Sequence, residues 1–183
     1  MRGYDNEPFV IQREVQAVVV PAGTEVMLHP GQAGYITQAL GGSFTLYIEG
    51  NLFRLAGADA DAIGQEVSKT PELPPNATED DVRELAWQQM RGCFDPEIPI
   101  NIVELGLIYE CTVKANDDGT RNVSVSMTLT APGCGMGEIL VQDVREKIES
   151  IPTVREAQVE LVFDPPWNQS MMSEAARLQT GMF

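Results

Sequence analysis

Three prolines within five residues, Pro71, Pro74 and Pro75, constrain this chain more than any other feature, because a helix cannot run through them and a central strand cannot hold them. The segment from Ser68 to Asn76 that contains them favours an extended connector. Residues 69–77 are therefore read as a linker between an N-terminal domain, 1–68, and a C-terminal domain, 78–183.

From Phe9 to Leu55, apolar residues come in short or alternating runs broken by turn chemistry at Pro21-Ala22-Gly23, Pro30-Gly31, Gly41-Gly42 and Gly50-Asn51. That pattern predicts a small all-β unit. Its strands are expected over Gln12 to Val20, Glu25 to Leu28, Gly34 to Leu40, Ser43 to Glu49 and Leu52 to Leu55.

Beyond the prolines the period changes. Thr78 is a helix N-cap followed by Glu79, Asp80 and Asp81 at the positive end of the helix dipole, and Val82, Leu85, Ala86 and Met90 supply an apolar face that Gly92 ends. Leu107, Tyr109, Cys111, Val113 and Ala115 then alternate with polar residues as a half-buried strand. The turn Asn116-Asp117-Asp118-Gly119 leads into a return strand, with Val123, Val125, Met127 and Leu129 facing one way and Ser124, Ser126 and Thr128 the other. Leu140, Val144, Ile148 and Ile151 fall at helical spacing before Pro152, a third strand runs from about Val154 to Phe163, and Ser170 to Gln179 form a last helix closed by Gly181. The C-terminal half thus reads helix, β-hairpin, helix, strand, short helix, which makes the whole chain α+β.

The chain has 183 residues, 43% apolar and 21% charged, enough for one large or two small cores. Its formal net charge of −15 and pI near 4.3 repel phosphate backbones and anionic membrane surfaces, so neither nucleic acid nor membrane is expected as a partner. No apolar run reaches membrane-spanning length, and Asp5, Glu7, Arg13 and Glu14 interrupt the first twenty residues, so a cytoplasmic location is expected. Three cysteines, at 93, 111 and 134, argue against a disulfide framework and fit a reducing compartment. The sole histidine, His29, is read as an exposed turn residue before Pro30, far in sequence from Cys134.

The chemistry concentrates in Thr130-Ala131-Pro132-Gly133-Cys134-Gly135-Met136-Gly137, between a strand end and the first turn of a helix. A thiol near a helix N-terminus has a lowered pKa, and thiolate is the species that binds iron. Gly133 and Gly135 leave the sulfur unshielded. The competing reading makes the glycines a tight turn and Cys134 a small core filler. The alternating glycines followed by Glu138 exclude a dinucleotide loop, the absence of a following Lys and Ser or Thr excludes a phosphate loop, and Gly137 stands where a thioredoxin-type partner cysteine is needed. Cys111 lies on the apolar strand face and is read as core, whereas Cys93 is ambiguous and could face the same site. Asp95 and Glu97, flanking Pro96, either orient a carboxylate towards Cys134 or cap a turn.

The segment Asp95-Pro96-Glu97-Ile98-Pro99-Ile100-Asn101-Ile102-Val103-Glu104-Leu105-Gly106-Leu107-Ile108-Tyr109 closely resembles a signature of the small iron-sulfur assembly factors, the family that includes SufT, the phenylacetate-degradation protein PaaD and the eukaryotic cytosolic iron-sulfur targeting factors. Met127-Thr128-Leu129-Thr130-Ala131-Pro132-Gly133-Cys134 resembles the segment that carries the family's reactive cysteine, and Val159 to Trp167 resembles a third signature. The Pro-Gly-Cys-Gly-Met-Gly loop and an N-terminal extension like residues 1–70 liken the chain most to the SufT branch; other branches place proline where Gly135 stands. The resemblance implies an α/β domain of the iron-sulfur-assembly type, roles for Asp95, Glu97, Thr130 and Cys134, and help in maturing client apoproteins.

Because clusters are usually held by four thiolates, one Cys134 per chain suits transient ligation of a cluster or iron, shared with a second copy or with a scaffold, carrier or client protein. An accessory factor without turnover is thus the leading expectation. A thiol enzyme lacks a neighbouring base and the arginine of the Cys-x5-Arg pattern, since Leu140 stands there. A client-recognition adaptor without metal binding needs no reactive thiol at all. Trp167 with Met171 and Met172 is either a docking patch or core.

Overall fold

A computed structural model gives the structure of the protein and describes residues 6–40, 43–67, 71–95, 98–133 and 135–181. The chain forms two compact units, residues 1–69 and 70–183.

The N-terminal unit is a six-stranded antiparallel sheet built from β1 (Glu7–Val10), β2 (Val15–Val20), β3 (Glu25–Leu28), β4 (Ala33–Leu40), β5 (Ser43–Ile48) and β6 (Asn51–Ala56), in spatial order β1-β4-β5-β6-β2-β3. One face buries Phe9, Val15, Ala17, Ile36, Leu46, Ile48 and Leu55. A 3-10 helix over Gly57–Ile63 adds Ala62 and Ile63 to that core, and Arg13 pairs with Asp59 and Asp61 at 2.9 and 2.7 Å to hold it. The expected strand over Gln12 to Val20 is corrected: pairing begins at Val15, and an unforeseen strand, β1, precedes it. Pro8 hides β1 from a sequence reading, yet β1 lies at the sheet edge, where a missing N–H is tolerated.

The C-terminal unit contains α1 (Glu79–Met90), β7 (Ile108–Ala115), β8 (Arg121–Met127), α2 (Gly137–Glu149), β9 (Val154–Leu161) and α3 (Glu174–Thr180). β7 and β8 pair antiparallel, as their alternation predicts, and β8 and β9 pair parallel, with α2 as the crossover between them. Helix α1 starts in a capping box: Asp81 N–H donates to Thr78 Oγ1 at 3.3 Å, and Thr78 N–H donates to Asp81 Oδ2 at 2.7 Å. Thr78 N–H and, at 2.9 Å, the Thr78 hydroxyl both donate to the Asp81 carboxylate and hold it below its ordinary range. Val82, Ala86 and Met90 then enter a core shared with Val123, Val125, Met127, Leu140, Val144 and Ile148.

The last helix departs from expectation. It splits into a 3-10 turn at Gln169–Met171 and α3, because Met172 drops into the core and Ser173 starts a new helix by accepting from Ala176 N–H. No helix among the described residues is long and apolar enough to cross a membrane.

Candidate functional site

The site is assembled where β8 leaves its sheet. Thr128 N–H donates to Leu107 C=O and Val162 N–H donates to Met127 C=O, each at 2.8 Å, so the chain is held from both sides as the strand ends. Leu129 is buried next, against Gly137, the first residue of α2. A side chain at Gly137 would stand 2.7 Å from Leu129 Cδ1, so the entry and exit of the intervening loop touch at its base. Placing this loop after a parallel strand and before its crossover helix follows a general rule for open α/β sheets, whose ligand sites lie beyond the carboxyl ends of the strands.

Asp95 joins this loop to the earlier signature segment. It is 5% exposed; its Oδ1 accepts from Ile98 N–H at 2.9 Å and its Oδ2 accepts from Thr130 Oγ1 at 3.3 Å. Of the two uses weighed for this carboxylate, the structure thus shows turn capping together with a bond to the first residue of the cysteine loop. Glu97 and Cys134, the other two polar members of the expected site, lie outside the described residues.

The two glycines differ. Gly133 has φ +77°, the left-handed region that favours glycine, whereas Gly135 has no such requirement. Both are exposed, and a Cβ on either would meet nothing within 4 Å, so the positions on each side of 134 face open space. Helix α2 begins three residues after position 134, and its N-cap, Met136, makes no side-chain capping bond. The positive end of the α2 dipole is thereby left to the loop, with exposed Glu138 opposing it in the first turn.

The remaining thiols belong to the core. Cys93 is fully buried, with Sγ 3.8 Å from Gln89 C=O, and Cys111 is 8% exposed, its thiol pushed up to about 11 by burial. His29 is exposed, 3.2 Å from Glu14. No group of three or more metal-ligating side chains occurs among the described residues.

Sequence reasoning passed over one feature. Thr128, read as the outward polar side of β8, is fully buried, and its Oγ1 has no hydrogen-bond partner among the described residues. The strand flanked by Leu107 and Val162 is covered at this end, which alternation alone does not reveal. Of the two readings of Trp167 with Met171 and Met172, the packed one fits: Trp167 Nε1 donates to Leu105 C=O at 2.7 Å, Tyr109 Oη donates to Pro165 C=O at 2.6 Å, and Met172 is 3% exposed. They fasten the C-terminal segment to the signature loop.

Comparison with known proteins places this geometry. A family model described as iron-sulfur cluster assembly protein matches residues 83–161. A protein of Porphyromonas gingivalis named Fe-S protein maturation auxiliary factor is 45% identical over 104 residues, covering 57% of this chain and 91% of that protein. The Fe-S protein maturation auxiliary factor SufT of Staphylococcus aureus is 40% identical over 89 residues, covering 49% of this chain and 97% of that protein. Among solved structures, a domain of unknown function from Bacillus anthracis superposes with a TM-score of 0.50 at 33% identity, covering 57% of this chain and 96% of that one. The Staphylococcus SufT is matched almost throughout by half of this chain, which leaves no length in that protein for a counterpart of the N-terminal unit. With near-complete coverage of relatives at 45 and 40% identity, and with the model match spanning α1 to β9, the chain belongs to the iron-sulfur cluster assembly protein family.

Proposed function

We propose that this chain is an accessory factor in iron-sulfur cluster assembly or transfer, acting through the Cys134 thiolate in the maturation of client apoproteins rather than turning over a substrate of its own. The observation that carries the reading is the Asp95–Thr130 hydrogen bond, which draws two sequence-distant signatures together four residues before position 134. Open space beside Gly133 and Gly135 supports access for a bulky inorganic cargo, and the uncapped start of α2 favours an anionic sulfur. The names of the Porphyromonas and Staphylococcus relatives point the same way.

A single thiolate per chain provides one of the four ligands a cluster usually takes, so the cargo is held weakly and shared with a scaffold, a carrier, a client or a second copy. Such a factor works in the cytoplasm, where its three cysteines stay reduced.

Anaerobic reconstitution with iron and sulfide tests this reading. Visible absorbance in the wild type and its loss in Cys134→Ser are expected, while Thr130→Val, which removes the donor to Asp95, lowers the loaded fraction without abolishing it. Equal loading of wild type and Cys134→Ser would sink the proposal and favour a client-recognition adaptor that needs no thiol.

A further inference from the structure

The side of the six-stranded sheet opposite its core carries an apolar row. The register sets Pro8 across from Tyr35, Tyr35 across from Tyr47, Tyr47 across from Leu52 and Leu52 across from Val20, one line over β1, β4, β5, β6 and β2. Cross-strand partners share a face, so these side chains all stand opposite the core row of Ile36 and Leu46. Tyr35 is 49% exposed, Tyr47 43% and Leu52 38%, with Val10 at 52% beside them. On the order of 400 Å² of apolar surface is left in water, within the size of the largest patch on a typical soluble monomer, which is often a functional one.

The charge pattern narrows the occupant. In a chain of net charge −15, the strand positions on this face hold, among the described residues, two charged side chains of opposite sign, Arg54 and Glu25, in one transverse row. Most acidic residues lie instead in residues 70–183, so two copies meeting through that unit would oppose like charge, whereas this face is neutral. The apolar row is also complementary to itself. Its β4 and β5 half is aromatic and its β6 and β2 half aliphatic, so a twofold axis between β5 and β6 lays Tyr47 over Leu52 of the partner subunit and Tyr35 over Val20 of the partner subunit. Six strands spaced about 4.8 Å apart give a face of roughly 500 Å² in projection, whose corrugated area approaches the about 800 Å² per partner of a standard interface.

The geometry points to a metal-independent homodimer formed by face-to-face packing of two N-terminal sheets. Cys134 takes no part in it, so this inference stands or falls separately from the iron-sulfur reading.

Sedimentation velocity on the full, reduced chain in EDTA, from about 1 to about 100 µM, is the test. Wild type and Cys134→Ser are expected to sediment at twice the 20.0 kDa chain mass. Tyr47→Lys and Leu52→Glu, on opposite halves of the row, each weaken dimerisation at least about tenfold with unchanged far-UV circular dichroism. Should either variant lose its fold, Tyr47→Ser is read in its place. A wild type that stays monomeric at the top concentration, a dimer indifferent to these substitutions, or one that forms only after iron and sulfide are added would each overturn the inference.

Discussion

Two glycines of the signature loops make opposite demands on the backbone, and substitution separates them. Gly106 has φ +75°, and a Cβ there would collide with the backbone of Met171, so Gly106→Ala incurs both strain and a clash that no side-chain rotation relieves. Its expected destabilisation in urea melts is about 3 kcal/mol or more. Gly135→Ala, without left-handed backbone or neighbours, is expected to change stability by less than about 0.5 kcal/mol. Sequence alone marks both only as small residues in conspicuous loops. The same limit explains Thr128: alternation gives a side chain's direction along a strand, but what lies over it comes from segments distant in sequence, such as those of Leu107 and Val162 that bond the backbone here. By contrast, Cys111 was legible as core, because its own strand carries the apolar pattern that buries it.

Elements whose ends are written in local chemistry came through the sequence reading best. Thr78 and Asp81 announce α1, Asn116 to Gly119 announce the β7–β8 hairpin, and Gly181 at φ +69° closes α3. The 3-10 helix at Gly57–Ile63 was invisible because its anchor, Arg13, lies in another part of the sequence. The capping box supplies a measurable consequence. Thr78→Ala removes the acceptor for Asp81 N–H and is expected to cost about 1 kcal/mol in denaturant melts. Asp81, held low first by Thr78 N–H and then by the Thr78 hydroxyl, stabilises the fold above the ordinary carboxylate range and loses that effect as pH falls through its depressed pKa. The loss in urea midpoint between pH 7 and pH 3 is therefore expected to be smaller in Asp81→Asn than in the wild type.

For the molecule as a whole, Pro71, Pro74 and Pro75 lie in sequence between two separate hydrophobic cores, one drawn from Phe9 to Ile63 and the other from Val82 to Ala176. Since the Staphylococcus SufT has no room for the first, residues 70–183 are expected to fold alone, with one cooperative thermal transition and the near-ultraviolet signal of Trp87 and Trp167 intact; a molten fragment would refute that independence. What sequence could not show is how the signatures meet. Besides the Thr128–Leu107 backbone bond, the junction includes one carboxylate, Asp95, with one oxygen on Ile98 and the other on Thr130. It works as a clasp: Ile98 and Thr130 hang from the two oxygens of a single side chain, so neither can be displaced without loading or breaking a bond to Asp95.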